Sequence, residues 1–577
     1  MNRDRARHDP PAAPPVDASR APDAASEAAG EPAERERNAA GPTGSSLSVG
    51  LGGVWKNALA NIGGELVFVA TGFLLPRLIA DHIGKEMLGV WDFAWSLNAH
   101  FMLVGGGMMT SVGREVAALH VRRDWDGLSA LVSSCCFLFG LCGLVVLLLA
   151  AGTAASLHWL LPTLDAQSLP AARGTVFLLG LCIAFRFPLH VFNGILTGHQ
   201  RYVLHNLIVS GCHLATTLAV IGVVLAGGGL IWMAAFHLAG ELVAGQLKLH
   251  FARRIDPYWR AAPRFVRRRT MGYVVRFGGK SFLFNIAQVM LYQTNAVLVG
   301  RFLGLEALAV FSRARALVAA LEKLVRKAAV VLIPNASALQ ERGDGAASER
   351  LLRRAGEFSL MVALPGVLFL VFLGGPLMNV WMGAGFHEVG LLALLAIGHF
   401  ASLTQRGSYF ILLGRGAHGA PGAATAIGAV AGILLSLLLL GPLKMGLLGA
   451  AIAIVVPITI VDGLVIPRLA CRSIGVGLRR YAWTLFRRAL PLTLALAAVF
   501  GAIRAAPLGA DWLVVGLGGA ATLAVYAFVF RDAIGRSLRG ARRRSRAGHE
   551  TRPASPRSAP GKALREHRTP QTVGVDE

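Results

Sequence analysis

Residues 78–97 read LIADHIGKEMLGVWDFAWSL, and residues 298–317 read LVGRFLGLEALAVFSRARAL. Aligned without gaps, the two stretches share seven of twenty residues, Gly84/Gly304, Glu86/Glu306 and Leu97/Leu317 among them. Each stretch joins the end of one apolar segment to the start of the next, so the chain reads as a duplication. Counting apolar segments, the second copy is displaced by six from the first. An even displacement preserves direction across a membrane. The pattern therefore predicts two parallel six-helix lobes related by an axis along the membrane normal, with a substrate site between them.

Working outward, fourteen apolar segments follow one another at about 54–80, 86–113, 128–150, 174–198, 203–226, 229–251, 273–300, 306–334, 357–380, 387–412, 420–441, 446–468, 483–504 and 509–531. Each is long enough to cross about 30 Å of hydrocarbon at 1.5 Å per residue. The composition agrees: 54% of residues are hydrophobic, 15% are charged, and mean hydropathy is +0.56. An ordinary soluble protein carries far more charge. The expected fold is all-α and polytopic, with two further helices after the second lobe.

Charge placement tests this map. With a cytoplasmic N-terminus, the loops assigned to the cytoplasm hold about 25 Lys and Arg, and those assigned outside about six. The expected organisation is a polar tail (1–48), an N-lobe (49–251), a basic inter-lobe loop (252–272), a C-lobe (273–470), two extra helices (471–534) and a basic tail (535–577). Both tails have few large apolar residues and are expected to be disordered. The first fifty residues have no apolar signal-peptide core, so insertion is expected to begin with the first span. Only eight of the 57 basic residues are lysine. The C-terminal arginine cluster suits either anionic lipid headgroups or a stop-transfer anchor with a solvated tail, and no nucleic-acid partner is expected.

The six cysteines form no C-x-x-C pair, and no metal-ligand spacing stands out; they read as small packing residues. No Walker A sequence is present, so ATP hydrolysis by the chain is not expected.

Charges deep in spans are informative, because a charge at mid-helix costs about 2.5–3.5 kcal/mol on insertion scales. Arg186 sits about twelve residues into the fourth span, two residues before Pro188, which should kink the helix. It either faces a cavity or pairs with Glu241 at similar depth in the sixth span. The eighth span carries Arg313, Arg315, Glu322, Lys323, Arg326 and Lys327. At 100° per residue, Arg315, Glu322 and Arg326 fall within about 40° of one face, with Lys323 beside them. Glu322 and Arg326 also have the spacing of an i, i+4 pair. Asp92, His100, His237, His399 and Asp462 are polar groups at membrane depth that could serve an ion step or simply hydrogen-bond within the bundle.

The stretch from Val54 to Asp124, with its Gly-rich GGGMMTSVGRE, resembles the opening of the polysaccharide exporters of the multidrug/oligosaccharidyl-lipid/polysaccharide (MOP) superfamily. FNGILTGHQRY (192–202), VVLIPNASALQERGD (330–344) and PLMNVWMGAGF (376–386) follow in family order, so the resemblance covers about residues 54–470. Within the superfamily it is nearest the Wzx-type O-antigen and exopolysaccharide flippases. It implies a V-shaped fold, alternating access, a bacterial inner-membrane location with both termini cytoplasmic, and no cofactor. The implied substrate is an oligosaccharide on undecaprenyl pyrophosphate, with membrane lipids, a coupling H+ or Na+ and other polysaccharide-assembly proteins as further partners. Many relatives have Asp late in the seventh helix where this chain has Asn295, which puts ion coupling there in doubt.

On that reading Arg186, Arg315, Lys323 and Arg326 are the cavity cations for a diphosphate, which needs charged donors once desolvated. Glu241, Glu322, Asp92 and His399 are the candidates for ion coupling or for charge partners. A lipid II flippase is the nearest rival reading. A MATE-type drug antiporter would want acidic groups where these are basic. A membrane polymerase or ligase would want a long outer loop with paired carboxylates. A scaffold without transport leaves the deep cations unexplained.

Overall fold

The structure, a computed structural model, describes residues 68–330, 332–417, 419–528 and 531 of the 577. Both tails and the start of the first span lie outside the described residues. Among the described residues every regular element is a helix. We label them α1 (68–82), α2 (Lys85–Met102, resuming as Met109–Val121), α3 (Trp125–Ala155), α4 (Leu169–Gly198), α5 (Tyr202–Leu225), α6 (Leu230–Ile255), α7 (268–303), α8 (Leu305–Ala329, resuming as Leu332–Glu341), α9 (Gly345–Met382), α10 (Leu391–Gly414), α11 (Gly419–Leu440), α12 (Gly446–Ile474), α13 (Leu478–Ala505) and α14 (Asp511–Phe528).

Nine helices among the described residues are long and apolar enough to cross a membrane by length and composition alone. They are α3–α6, α9 and α11–α14. The described helices that fall short include α2, α7, α8 and α10, which carry Asp92, Arg276, Arg315 and Arg406. A helix holding such groups does not face lipid on all sides. Their polarity is the first sign of where the wet part of the molecule lies.

The duplication extends well beyond the twenty aligned residues. Gly84 and Gly304 both take positive φ (110° and 89°) immediately before α2 and α8, a backbone that disfavours any side chain. Both helices then break, α2 at Leu103–Met108 and α8 after Ala329, and resume. Forty residues beyond each glycine, Asp124 and Asp344 cap α3 and α9, accepting from Gly127 N at 2.7 Å and Ala347 N at 2.8 Å. The residue before each cap, Arg123 or Gly343, has positive φ (56° and 65°). One offset of 220 residues therefore relates a glycine turn, a helix, a break, a turn and a cap.

Helices α3–α6 pack mainly with one another and with α2, and α9–α13 with one another and with α7 and α8. The two groups meet where α2 crosses α7 and α8. Two glycines permit the approach. A Cβ on Gly89 would lie 2.0 Å from the Leu305 carbonyl oxygen, and one on Gly278 would lie 2.7 Å from the Met108 backbone nitrogen. Gly89 is near the start of α2 and Met108 is at its break, so these contacts close opposite ends of one interface. The second end is reinforced by Arg114, which donates to the Tyr273 hydroxyl at 2.6 Å, while that hydroxyl donates to Glu115 at 2.7 Å.

Three local departures from α-helix shape the space between. In α2 a 3-10 turn, Leu103–Gly105, runs into Gly106 and Gly107, both at positive φ. In α7 and α12, single π-turns span Met290–Thr294 and Val461–Val465. Such bulges push one residue out of the helical ladder. In α4, Pro188 cannot donate to the Ala184 carbonyl. Gly143 of α3 packs against that carbonyl so closely that a Cβ would come within 2.4 Å of its oxygen.

Candidate functional site

Between the two helix groups lies a cavity of about 440 Å³, walled by α2, α4, α7 and α8. Three guanidiniums line it, those of Arg186, Arg313 and Arg315, against one carboxylate, Asp92. Ser96, Asn98, Gln293 and Ser312 add uncharged polar groups, and Trp95 adds an aromatic face that is 38% exposed.

Two of the cations are held by partners. Arg186 reaches Glu241 on α6 at 2.6 Å, with 34% of its side chain still exposed against 16% for Glu241. Both readings of Arg186 therefore hold together: it is paired and it is on the cavity wall. Arg313 meets Asp92 across α8 and α2 at 2.5 Å, the two side chains 9% and 11% exposed. The duplicated α2 and α8 are thus joined by a buried ion pair. In sequence Arg313 was one of six charges on the eighth span with nothing to set it apart.

Arg315 is different. It makes no ion pair among the described residues, and its contact is with the face of Tyr292, 5.0 Å from guanidinium to ring centroid. An Arg stacked on an aromatic ring keeps its in-plane donors free. Those donors are available to whatever enters the cavity.

Tyr292 lies on the α7 π-turn and connects the cavity to a second polar cluster. Its hydroxyl donates to Glu322 at 3.5 Å and its ring stacks with His399 at 6.2 Å. Glu322 also lies 3.6 Å from Arg406 and 4.0 Å from His399 on α10. His399 Nδ1 donates to the Leu395 carbonyl at 2.8 Å, which leaves Nε2 turned toward Glu322. Beside Arg406, Asp462 of the α12 π-turn borders a void of about 20 Å³ with Tyr292 and Tyr409. That is room for about one water molecule or small ion.

The other singled-out residues fall outside the cavity wall. Lys323 and Arg326 are exposed on the part of α8 beyond Glu322. Asn295 is buried, donating to Ser436 at 2.7 Å and to the Ala450 carbonyl at 3.4 Å. His100 bridges α2 to the α7 π-turn through Thr294 at 3.0 Å, and His237 packs against Trp91 and Trp95. Trp95 and Tyr292 are site residues that sequence reading passed over. The one available signal was the pair of tryptophans in VWDFAW, polar-edged aromatics at a depth where lipid gives their N–H groups no partner.

Comparison with known proteins shows which folds share this arrangement of paired helix groups around a cationic cavity. Residues 179–390 match the family model described as Polysaccharide biosynthesis protein. EpsK, an uncharacterized membrane protein of Bacillus subtilis (strain 168), is 21% identical over 422 residues, 73% of this chain and 83% of its own. Among solved structures, the lipid II flippase MurJ in an inward closed conformation superposes with a TM-score of 0.63 at 14% identity, covering 83% of this chain and 99% of that one. An inward-facing multidrug resistance MATE family transporter of the MOP superfamily gives 0.59 at 17% identity, over 69% and 94%. The chain has the MOP-superfamily fold, and these findings support its resemblance to the polysaccharide exporters of that superfamily.

Proposed function

We propose that this protein moves an oligosaccharide linked to polyprenyl pyrophosphate across a bacterial inner membrane by alternating access. The observation that carries the reading is Arg315, a cation with free donors in a cavity between two helix groups, flanked by two further guanidiniums. A diphosphate entering that cavity meets three cations and one carboxylate, and Arg315 needs no existing ion pair to be broken. The serine and amide groups suit sugar hydroxyls, and the Trp95 face suits the apolar faces of pyranose rings. The polyprenyl tail stays in lipid. No covalent bond is made or broken. A cavity of 440 Å³ is of small-molecule size, so it receives the headgroup and first sugar, and the rest of the glycan follows as an end opens.

The Gly89 and Gly278 contacts are the two closures of that cycle. The Gly278 end, next to the basic inter-lobe loop, is assigned to the cytoplasm by charge placement. For an ion step, Asp92 and Glu241 are held by arginines at 2.5 and 2.6 Å, whereas Glu322 stands 3.6 Å from Arg406 and 4.0 Å from His399, so Glu322 with His399 is the group assigned to carry a proton. Cavity charge argues against a cation antiporter. A lipid II carrier remains a second reading because its diphosphate presents the same chemistry.

The test is binding of radiolabelled undecaprenyl pyrophosphate–oligosaccharide to purified protein in detergent. Arg315→Ala should weaken it by roughly 10- to 100-fold, the scale of one or two charge-assisted hydrogen bonds. Undecaprenol lacking the diphosphate should bind wild type and variant alike. Equal affinity of both proteins for the pyrophosphate would defeat the reading, and tighter competition by lipid II than by the glycan lipid would favour the second.

A further inference from the structure

Three helix C-termini meet on the face that carries the inter-lobe loop. His120 is in the last turn of the resumed α2, His199 is the C-cap of α4, and Asp256 is the C-cap of α6. His199 Nε2 lies 3.1 Å from His120 Nδ1 and 3.2 Å from Asp256 Oδ2, and His120 Nδ1 lies 3.4 Å from that same oxygen. We propose that His120, His199 and Asp256 form a zinc(II) site that ties the ends of three helices to the root of the inter-lobe loop.

Four features point to a cation. The first is spacing. Donors bonded to zinc at 2.0–2.1 Å in a tetrahedron stand about 3.3–3.4 Å apart, and the three separations here, 3.1, 3.2 and 3.4 Å, lie at or slightly inside that value. The second is protonation. His199 Nδ1 is 2.9 Å from the Ile195 carbonyl, to which only its N–H can be directed, so in the neutral ring Nε2 presents a lone pair. That lone pair faces a carboxylate oxygen at 3.2 Å, an arrangement of two acceptors that a positive charge between them relieves. The Ile195 contact is also the outer-shell bond that orients a metal-binding histidine. Third, the Asp256 side chain is fully buried and its Oδ2 has no hydrogen-bond partner among the described residues, while Oδ1 accepts from Tyr258 N at 3.3 Å. A buried carboxylate oxygen that accepts no hydrogen bond and faces two imidazole nitrogens is costly unless a positive charge meets it. Fourth, helix C-termini carry partial negative charge, and three converge here.

Two imidazoles and one carboxylate suit zinc better than magnesium or calcium, which favour oxygen ligands. His120 is 46% exposed, so the fourth coordination position opens to solvent. Trp125 packs edge-on against His120, and Tyr258 stacks on Trp125, shielding the other side. The loop that leaves Asp256 is itself fixed to α3. Ser129, Ser133 and Ser134 bond the backbone of Arg260, Ala262 and Arg267. Zinc would anchor its root in the same way. The site is independent of the transport reading.

The experiment uses the full chain purified without a polyhistidine tag, stripped with chelator and incubated with zinc chloride. Bound metal is measured by mass spectrometry after gel filtration. Wild type should retain one zinc per chain, and His120→Ala, His199→Ala and Asp256→Asn should each retain roughly a tenth or less. Cobalt(II) should give wild type the visible absorption of a tetrahedral site, and the variants should lack it. Asp256→Asn preserves side-chain shape, and His120 lies at the surface, so at least these two variants should elute as folded protein. Unchanged zinc content in either would overturn the proposal. So would a wild type that elutes intact and binds no zinc, including one that is instead stabilised by acidification alone.

Discussion

Replacing Asp92 by Asn leaves the Arg313 guanidinium without its partner in a position where 9% of its side chain reaches solvent. Removing one member of a buried ion pair costs about 3–5 kcal/mol, most of it the burden of the charge left behind. Both groups touch the 440 Å³ cavity, and water there will share some of that burden. The low end applies, about 3 kcal/mol, or roughly a hundredfold in the unfolding equilibrium. Arg313→Met should cost a similar amount by stranding Asp92. The double variant Asp92→Asn/Arg313→Met leaves no stranded charge, so its cost should be about 1 kcal/mol or less rather than the additive value of about 6. Reversible unfolding in mixed dodecylmaltoside and dodecyl sulfate micelles supplies the cycle. Single-variant effects that add to within about 0.5 kcal/mol would show that α2 and α8 are not coupled through this pair.

The glycine closures make opposite predictions. Gly89→Ala forces α2 away from the Leu305 backbone and should raise access of an impermeant thiol reagent to Ala99→Cys, on the cavity wall, from the end where α2 begins. Gly278→Ala should raise access from the other end, and a common direction for both would refute the two-closure view. Asp124→Ala and Asp344→Ala should each lower stability by about 1 kcal/mol, measured by the same unfolding assay, because each removes one N-cap acceptor. A large inequality between them would weaken the structural repeat. Glu322→Gln should abolish transport driven by a proton gradient in proteoliposomes while leaving headgroup affinity unchanged; loss of both together would make Glu322 a structural partner of Arg406.

The chain's architecture was largely legible because two signals in it are local. Apolar runs mark helices, and the Gly84/Gly304 repeat carries its backbone requirement in the residue type. The site was legible only in part. Helical periodicity put Arg315, Glu322 and Arg326 on one face, but from Arg315 to Arg326 is about 16 Å of rise. Residues on one face at different depths meet different neighbours. Arg315 reaches the cavity, Glu322 reaches Arg406 and His399, and Arg326 is exposed. Depth was the missing coordinate. Arg186 and Glu241 could be matched because both lie mid-span in neighbouring helices of one lobe, whereas Asp92 and Arg313 come from different lobes, 221 residues apart. The π-turn that presents Tyr292 has no residue signature. Nor could spacing show that His120, His199 and Asp256 converge, since each lies at the end of a different helix.

Transport itself is the most direct test of Arg315. Wild type, Arg315→Lys and Arg315→Ala would be reconstituted in liposomes with a fluorescent undecaprenyl pyrophosphate–oligosaccharide, and the fraction shielded from an external quencher followed with time. Wild type should equilibrate the lipid between leaflets fastest, Arg315→Lys more slowly because a point charge replaces a two-pronged donor, and Arg315→Ala at the rate of protein-free liposomes. Equal rates for all three, with equal protein in the membrane, would contradict the assignment of this cationic cavity to the diphosphate.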